Sequence, residues 1–113
     1  MTPIVKVKQG VLFTVIAPGG FCILSAIQRT CITLGYDLTI TSACDGEHSG
    51  PDDPHHKGEA YDLRTNDLDI DQKTDTLKTI MMYLGDKFFA FLESPNTHNE
   101  HIHIQVRKGT TYP

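Results

Sequence analysis

The sequence has no tryptophan and only three cysteines among its 113 residues. Cys22, Cys31 and Cys44 are odd in number and show no C-x-x-C spacing, which argues against a disulfide framework and against a cysteine-rich zinc site. So few cysteines suit a reducing compartment. Cys22 and Cys31 have apolar neighbours, so both are predicted to be small, buried hydrophobic residues.

Positive charge is not in excess either, because the formal net charge is −4. This balance gives no electrostatic reason to expect nucleic acid or an anionic membrane as a partner. A membrane span needs about 20 continuous apolar residues, whereas the apolar stretch 11–27 is interrupted by Pro-Gly-Gly at 18–20. Lys6 and Lys8 precede that stretch as in a signal peptide, but no small-x-small cleavage site follows. We therefore expect a chain that is made in the cytoplasm without a signal peptide.

The overall composition is that of an ordinary globular chain, with 39% hydrophobic and 21% charged residues and no polar bias of the kind seen in disordered proteins. A chain of 113 residues fits one hydrophobic core. A single domain over residues 1–113 is predicted, and a monomer is expected.

The first half of the chain alternates between strand and helix patterns. Residues 11–16 are apolar and β-branched and are predicted to form a strand that ends at the Pro-Gly-Gly of 18–20. In residues 21–34 the apolar side chains recur at helical spacing, and Gly35 follows as a natural C-terminal cap. Residues 36–41 alternate as in a second strand.

The second half predicts a strand at 60–63 and then a helix that begins near Asp69 or Asp71, either of which can cap it, and ends at Gly85. Two further strands are predicted to form a hairpin, at residues 87–92 and 101–106. The resulting fold class is α+β: a small antiparallel sheet with two helices packed on one face.

The histidines are concentrated, since all six fall in two short segments, 48–56 and 98–103. The first segment lies in residues 43–58, a turn-rich stretch almost without apolar side chains. Loops of that length in a small domain are commonly functional. A catalytic zinc site needs three nitrogen or oxygen ligands and an open fourth position, and the two segments are rich in such ligands.

Two motifs carry the candidate ligands. In HHKGEAYD, His55 precedes Asp62 by seven residues, and Gly58 permits a sharp approach of the loop to the strand that presents Asp62. In HIH, His101 and His103 project from the same face of a strand, because alternate residues share a face. A carboxylate placed nearby could act as general base on the attacking water. Together the motifs predict a metal site.

The run TSACDGEHS, followed by H-x-x-G-x-A-x-D at 55–62 and then by FLE and HIHI, resembles the zinc D-alanyl-D-alanine peptidase family. That family includes D-Ala-D-Ala carboxypeptidases and dipeptidases, phage endolysins that cut L-alanyl-D-glutamate and, with the same fold, the hedgehog signalling domain. The resemblance covers about residues 36–106, and the two motifs together are more specific than either one. It implies a hedgehog-like fold and a Zn²⁺-dependent peptidase.

The family's pattern places the zinc ligands on three residues of this chain: His55, Asp62 and His103. His55 is preferred to His56 because only His55 has the proper register to Gly58. His103 is preferred within H-x-H because relatives use the last histidine of that motif.

The resemblance also implies catalytic roles. His101 is expected to orient the water or the substrate, and His48 either stabilises the developing oxyanion or is an exposed loop histidine. Relatives place the general base at the end of the strand before H-x-H, which matches Glu93, or three residues before the last histidine, which matches Glu100. Strand parity favours Glu93, because Glu100 points away from the histidines unless the strand begins only at residue 101.

Three departures from the family's pattern bear on the substrate. Asp53 replaces a serine of many relatives, Asp45 replaces an arginine that holds a substrate carboxylate in many carboxypeptidases, and the tryptophan beside the last histidine is absent. These departures favour a compact, endolysin-like endopeptidase over a strict D-Ala-D-Ala carboxypeptidase. Arg64, which recurs in relatives of that kind, contacts substrate or forms a structural ion pair.

The implied function is hydrolysis of peptide bonds in peptidoglycan stem peptides. The alternative is a non-catalytic, zinc-containing binding or signalling module of hedgehog-like fold, and a histidine-rich protein without metal is the third interpretation. An enzyme of phage origin is expected to act on the cell wall after release by a holin or by lysis.

Overall fold

The computed structural model describes residues 2–45 and 53–109. In chain order they form β1 (Val5–Val7), α1 (Pro18–Leu34), β2 (Leu38–Ser42), β3 (Ala60–Arg64), α2 (Ile70–Leu84), β4 (Phe88–Glu93) and β5 (His101–Val106). The two helices pack against each other and against the sheet. The predicted α+β fold class is therefore confirmed.

The sheet has the strand order β1-β2-β3-β5-β4. β2 pairs with β3, β3 with β5, and β5 with β4, all antiparallel, and the β4–β5 hairpin is confirmed. At the other edge β1, a strand that was not predicted from the sequence, pairs with β2 in parallel, so the predicted antiparallel sheet is mixed at this edge. The cause is the connection, because the helix α1 lies between β1 and β2 and returns the chain to run in the same direction.

Helix α1 begins three residues earlier than the pattern predicts. Pro18 stands at the helix start, where its missing N–H is not needed and its fixed φ suits the first turn. Gly20 packs so tightly that a Cβ atom there would lie 2.1 Å from the carbonyl oxygen of Gly58. Gly35 ends the helix in the left-handed conformation, with φ of 83°, which confirms the predicted cap.

Helix α2 begins where the sequence predicts. The Asp69 carboxylate accepts a hydrogen bond from the backbone N–H of Gln72 at 2.8 Å, and the Gln72 side chain accepts one from the backbone N–H of Asp69 at 2.9 Å. This reciprocal pair is a capping box. Neither helix of the described residues is both long and apolar enough to cross a membrane.

Residues 11–16, predicted to be a strand, form none. They cover the edge of the core instead: the ring of Phe13 stacks on Tyr61, with centroids 6.0 Å apart. Their backbone is held by Leu12, whose N–H donates to the Asp45 carboxylate at 3.2 Å. Val11 and Phe13 pack against the core, whereas Leu12 and Val15 are more than half exposed, so core packing accounts for part of the apolar composition of this segment.

Alternate residues of the sheet face opposite sides. On the helix side, Tyr61 and Leu63 of β3 and Ile102 and Ile104 of β5 are at most 1% exposed and belong to the core under the helices. The other side, here named the open face, is formed by the intervening residues of these strands: Asp62, Arg64, His101, His103 and Gln105. The sheet thus has an apolar face under the helices and an open face that carries His101 and His103.

The cysteines divide between these environments. Cys31 is buried, as predicted, whereas Cys22 is exposed, so the prediction for Cys22 is wrong. Both lie in α1, and Cys22 occupies the side of the helix away from the core even though its neighbour Ile23 is fully buried. Apolar neighbours in sequence do not share a helix face.

Candidate metal centre

The candidate site lies on the open face, where β3, β5 and β4 run side by side. The register places Asp62 directly opposite His103, and it places His101 opposite both Arg64 and Glu93. Directly opposed residues of antiparallel strands point to the same side of the sheet. Strand register therefore brings two predicted ligands together, and the hairpin adds Glu93 beside them.

His55 reaches the open face from the loop that precedes β3. Asp53 turns the backbone there, since its carboxylate accepts a hydrogen bond from the backbone N–H of His55 at 2.9 Å. Gly58 has a φ of 70°, and a Cβ atom at this position would lie 2.3 Å from the Val15 carbonyl oxygen. The predicted close approach at Gly58 is confirmed, and Asp53 has a structural role at the position where many relatives have serine.

The three predicted ligands form one compact group. Nε2 of His55 lies 3.3 Å from Oδ1 of Asp62, and Nδ1 of His103 lies 2.9 Å from the same oxygen. All three ligand atoms are within 4.8 Å of one another. Zinc bonds of about 2.0–2.1 Å place neighbouring ligand atoms of a tetrahedron about 3.3 Å apart. The group therefore could bind a metal ion, and its donor set fits a small divalent one.

The second nitrogen of each ligand histidine is engaged outside this group. Nδ1 of His55 donates to the carbonyl oxygen of Ala43 at 2.8 Å, and Nε2 of His103 donates to Oε1 of Gln105 at 2.7 Å. The Gln105 amide nitrogen donates to the Val106 carbonyl, which leaves Oε1 as the acceptor. With the outer nitrogen of each ring donating, the inner nitrogen is the atom that either hydrogen-bonds to Asp62 or, once deprotonated, could bind a metal ion. Metal-binding histidines are held in this way.

Sequence reasoning missed both of these acceptors. Gln105 follows His103 by two residues on the same strand face, so the alternation in HIHIQ contained the signal. Ala43 acts through its backbone carbonyl, and no side-chain pattern can reveal such a contact.

Asp62 is the negative centre of the group. Burial raises the pKa of its carboxyl, but hydrogen bonds from His103 and His55 and the charges of His55 and His101 bring the pKa well below its usual range. For His103, burial lowers the pKa, but hydrogen bonds with Asp62 and Gln105 and the charge of Asp62 outweigh it, so the pKa is raised. Asp62 is thus ionised at neutral pH and attracts a cation.

His101 and Glu93 form a pair next to the ligand group. Nε2 of His101 lies 2.6 Å from Oε2 of Glu93 and 3.6 Å from Oδ2 of Asp62. Nδ1 of His101 donates to the carbonyl oxygen of Asn99 at 2.8 Å, which fixes the ring and turns Nε2 towards Glu93. The Glu93 side chain is 44% exposed, so water can reach this carboxylate.

Glu100, the other candidate base, has different surroundings. Its Oε1 accepts hydrogen bonds from Lys73 and Thr65, both at 2.6 Å, and its Oε2 accepts one from the backbone N–H of Asn96 at 2.9 Å. These three bonds lower the pKa of the carboxyl to about 2. Glu100 therefore joins α2, the end of β3 and the β4–β5 turn, and both of its oxygens are engaged in these contacts.

The remaining residues singled out in the sequence take other places. His48 lies outside the described residues. Two groups in the described part of the chain could hold a metal ion, His55–Asp62–His103 and Glu93–His101–His103, and His56 belongs to neither. Asp45 accepts hydrogen bonds from the backbone N–H groups of Leu12 and Ala43 at 3.2 and 2.9 Å. The residue that replaces the relatives' arginine therefore connects two backbone segments.

Two phenylalanines of β4 flank the ligand group on the open face. The ring centroid of Phe91 lies 5.4 Å from that of His103, and that of Phe89 lies 6.4 Å from it. The two phenylalanine rings stack at 5.9 Å, and Phe91 is 41% exposed. They provide an apolar surface beside the candidate ligands.

No protein-family model matches the chain. No curated protein and no solved structure matches it either. The resemblance of its motifs to zinc D-alanyl-D-alanine peptidases stays a hypothesis.

Proposed function

We propose that this chain is a zinc metallopeptidase that hydrolyses peptide bonds in the stem peptides of bacterial peptidoglycan. The observation that carries the proposal is the orientation of His55 and His103, each of which donates its outer N–H and turns its inner nitrogen towards Asp62. Two nitrogens and one oxygen make up the ligand set of a catalytic zinc site with a fourth position left open. The resemblance of the motifs supports the substrate class.

The site's own residues supply the proton transfers. When bound, zinc polarises a carbonyl oxygen and brings the pKa of a coordinated water from about 15.7 towards 7. Glu93 accepts the proton of the attacking water and returns it to the leaving amine, because its carboxylate is exposed and borders the ligand group. His101 orients Glu93 through their 2.6 Å hydrogen bond and places an N–H near the negative charge that develops on the substrate carbonyl.

An endolysin-like endopeptidase is favoured over a D-Ala-D-Ala carboxypeptidase. Asp45, in place of the arginine that holds a terminal carboxylate in many carboxypeptidases, is engaged by backbone N–H groups. The apolar surface of Phe89 and Phe91 suits an alanine methyl group beside the scissile bond. Action on the cell wall, after release by a holin or by lysis in a phage, follows from the same proposal.

The test combines metal analysis with hydrolysis of purified peptidoglycan and defined muropeptides, followed by mass analysis of the fragments. We expect one zinc ion per wild-type chain and hydrolysis that a chelator stops. Glu93→Gln should retain zinc and lower kcat about 10²–10⁴-fold, since a general base is lost. His103→Ala should lose both zinc and activity, whereas Lys78→Gln, an exposed change on α2, should alter neither.

Two outcomes separate the alternatives. Hydrolysis by zinc-depleted His103→Ala at the wild-type rate contradicts the proposal. Stoichiometric zinc without hydrolysis of any peptide bond overturns the enzymatic part and supports the non-catalytic, hedgehog-like module.

A further inference from the structure

A polar cavity of about 270 Å³ adjoins the metal centre on the open face. Its lining comes from the residue after β1, from β2 and β3, and from the turn before β5, and it includes Lys8, Thr41, Arg64, Asn66, Glu100 and His101. His101 belongs both to this lining and to the site, because its Nε2 lies 3.6 Å from the Asp62 carboxylate. A molecule held by the metal can therefore extend into the cavity.

The register explains why cations meet there. Arg64 lies opposite His101 on the same side of the sheet. Lys8 continues β1, and its N–H donates to the Ile40 carbonyl of β2 at 2.9 Å, which places it beside Thr41. The side chains of Lys8 and Arg64 thus approach the cavity from two neighbouring parts of the sheet.

Two cationic side chains, Lys8 and Arg64, line this cavity. Neither Lys8 nor Arg64 has an acidic side chain within ion-pair distance in residues 2–45 and 53–109. By contrast, Lys6 is paired with Asp37 at 3.3 Å. The acidic group of the lining, Glu100, directs both of its oxygens to other partners, including Lys73 at 2.6 Å.

We propose that Lys8 and Arg64 form a subsite for a free carboxylate of the peptide substrate, next to the bond that is cleaved. This inference rests on the proposed peptidase function and names its substrate class, a peptide with an acidic group close to the scissile amide. A guanidinium group binds both oxygens of a carboxylate through paired N–H donors, and the lysine adds a point charge. Thr41 and Asn66 supply further polar groups in a space that fits a group of this size.

The kinetic test uses two matched pairs of peptides and the zinc-loaded protein. One pair differs at an internal carboxylate, L-alanyl-D-glutamate against L-alanyl-D-glutamine linkages, and the other differs at the terminus, D-Ala-D-Ala acid against its amide. For the preferred acid, Lys8→Gln and Arg64→Gln should each raise KM about ten-fold, while the amide partner changes little. Arg64→Lys should retain part of the preference, and Lys78→Gln should keep all of it.

A binding measurement makes the inference independent of turnover. Glutarate is titrated into the metal-free protein, so that the anion cannot bind an ion, and the amide NMR signals of Thr41, Asn66 and Asn99 are followed. Saturable shifts that disappear in the Lys8→Gln, Arg64→Gln double variant support the subsite, even if no peptide is hydrolysed and the proposed function has failed. Equal kcat/KM for acid and amide in both pairs, or shifts that persist in the double variant, overturn it.

Discussion

The two faces of the sheet are built from the same strands and differ in nearly every physical property. On β5, Ile102 and Ile104 are at most 1% exposed and pack under the helices, whereas His101 and His103 point to the open face. A shift of one residue in the register would exchange the two sets, because side chains alternate with a period of two. The apolar face therefore fixes the register, and the register in turn places Asp62 opposite His103.

The largest effect is expected from a change on the apolar face. Ile104→Ala should lower the free energy of unfolding by about 2–5 kcal/mol, because it deletes a fully buried side chain and leaves a cavity. Urea denaturation of the metal-free protein measures this loss. The folded fraction should still bind zinc at the wild-type stoichiometry, since all three ligands are retained.

The matched control is Ile32→Ala, the same deletion at a helix position that is 54% exposed. It should change the free energy of unfolding by no more than about 0.5 kcal/mol. Equal losses for the two isoleucine variants would contradict the division of the sheet into a stabilising face and a functional face.

A smaller effect is expected at Glu100, the buried carboxylate between the two faces. Glu100→Gln should destabilise the fold by about 1–3 kcal/mol at neutral pH, because Lys73 loses its charged partner and the new amide NH2 leaves either Thr65 or the Asn96 N–H without an acceptor. If Glu93 and not Glu100 is the base, the folded variant should keep a kcat near that of the wild type. A loss of kcat as large as that of Glu93→Gln would reverse the assignment of the base.

The pH dependence of that difference follows from the lowered pKa of Glu100. The pKa falls from 4.5 in the unfolded chain to about 2 in the folded protein, so the carboxylate stabilises the fold fully above about pH 4.5. The contribution is lost as the pH falls from about 4.5 through 2. Urea denaturation at several pH values should show the wild type and Glu100→Gln converging over this window, and a constant difference contradicts the assigned pairing.

Much of the open face could be predicted from the sequence. The alternation in HIHI identifies β5 and its two faces, and the spacing from His55 through Gly58 to Asp62 identifies the loop and strand that meet it. These signals are local, since each depends on residues close together in the chain. Local patterns of this kind report directly on which side chains share a face.

The parts that could not be predicted depend on contacts distant in sequence. Residues 11–16 have the composition of a strand, but they pack across Tyr61 without pairing, and no local pattern distinguishes these two arrangements. The carboxylate of Glu100 meets Lys73 only because α2 passes the end of the sheet. The parallel pairing of β1 likewise depends on where α1 returns the chain.

The smallest effect is expected at Gln105, which touches the ligand His103 and not the proposed ion. Gln105→Leu removes the acceptor that fixes the His103 tautomer, and the affinity for zinc should fall about ten-fold, or ~1.4 kcal/mol. Gln105→Glu keeps an acceptor at this position and should bind zinc at least as tightly as the wild type. Competition with a chromophoric chelator measures all three proteins.

Equal zinc affinities in the wild type and in Gln105→Leu would mean that His103 is oriented by the sheet alone. A selective loss in Gln105→Leu would show that the open face depends on side chains beyond the ligands themselves. His55 provides the internal comparison, because its outer nitrogen donates to the backbone carbonyl of Ala43. No side-chain substitution can delete that backbone acceptor. His103 is therefore the ligand histidine whose orientation a single substitution, at Gln105, can change.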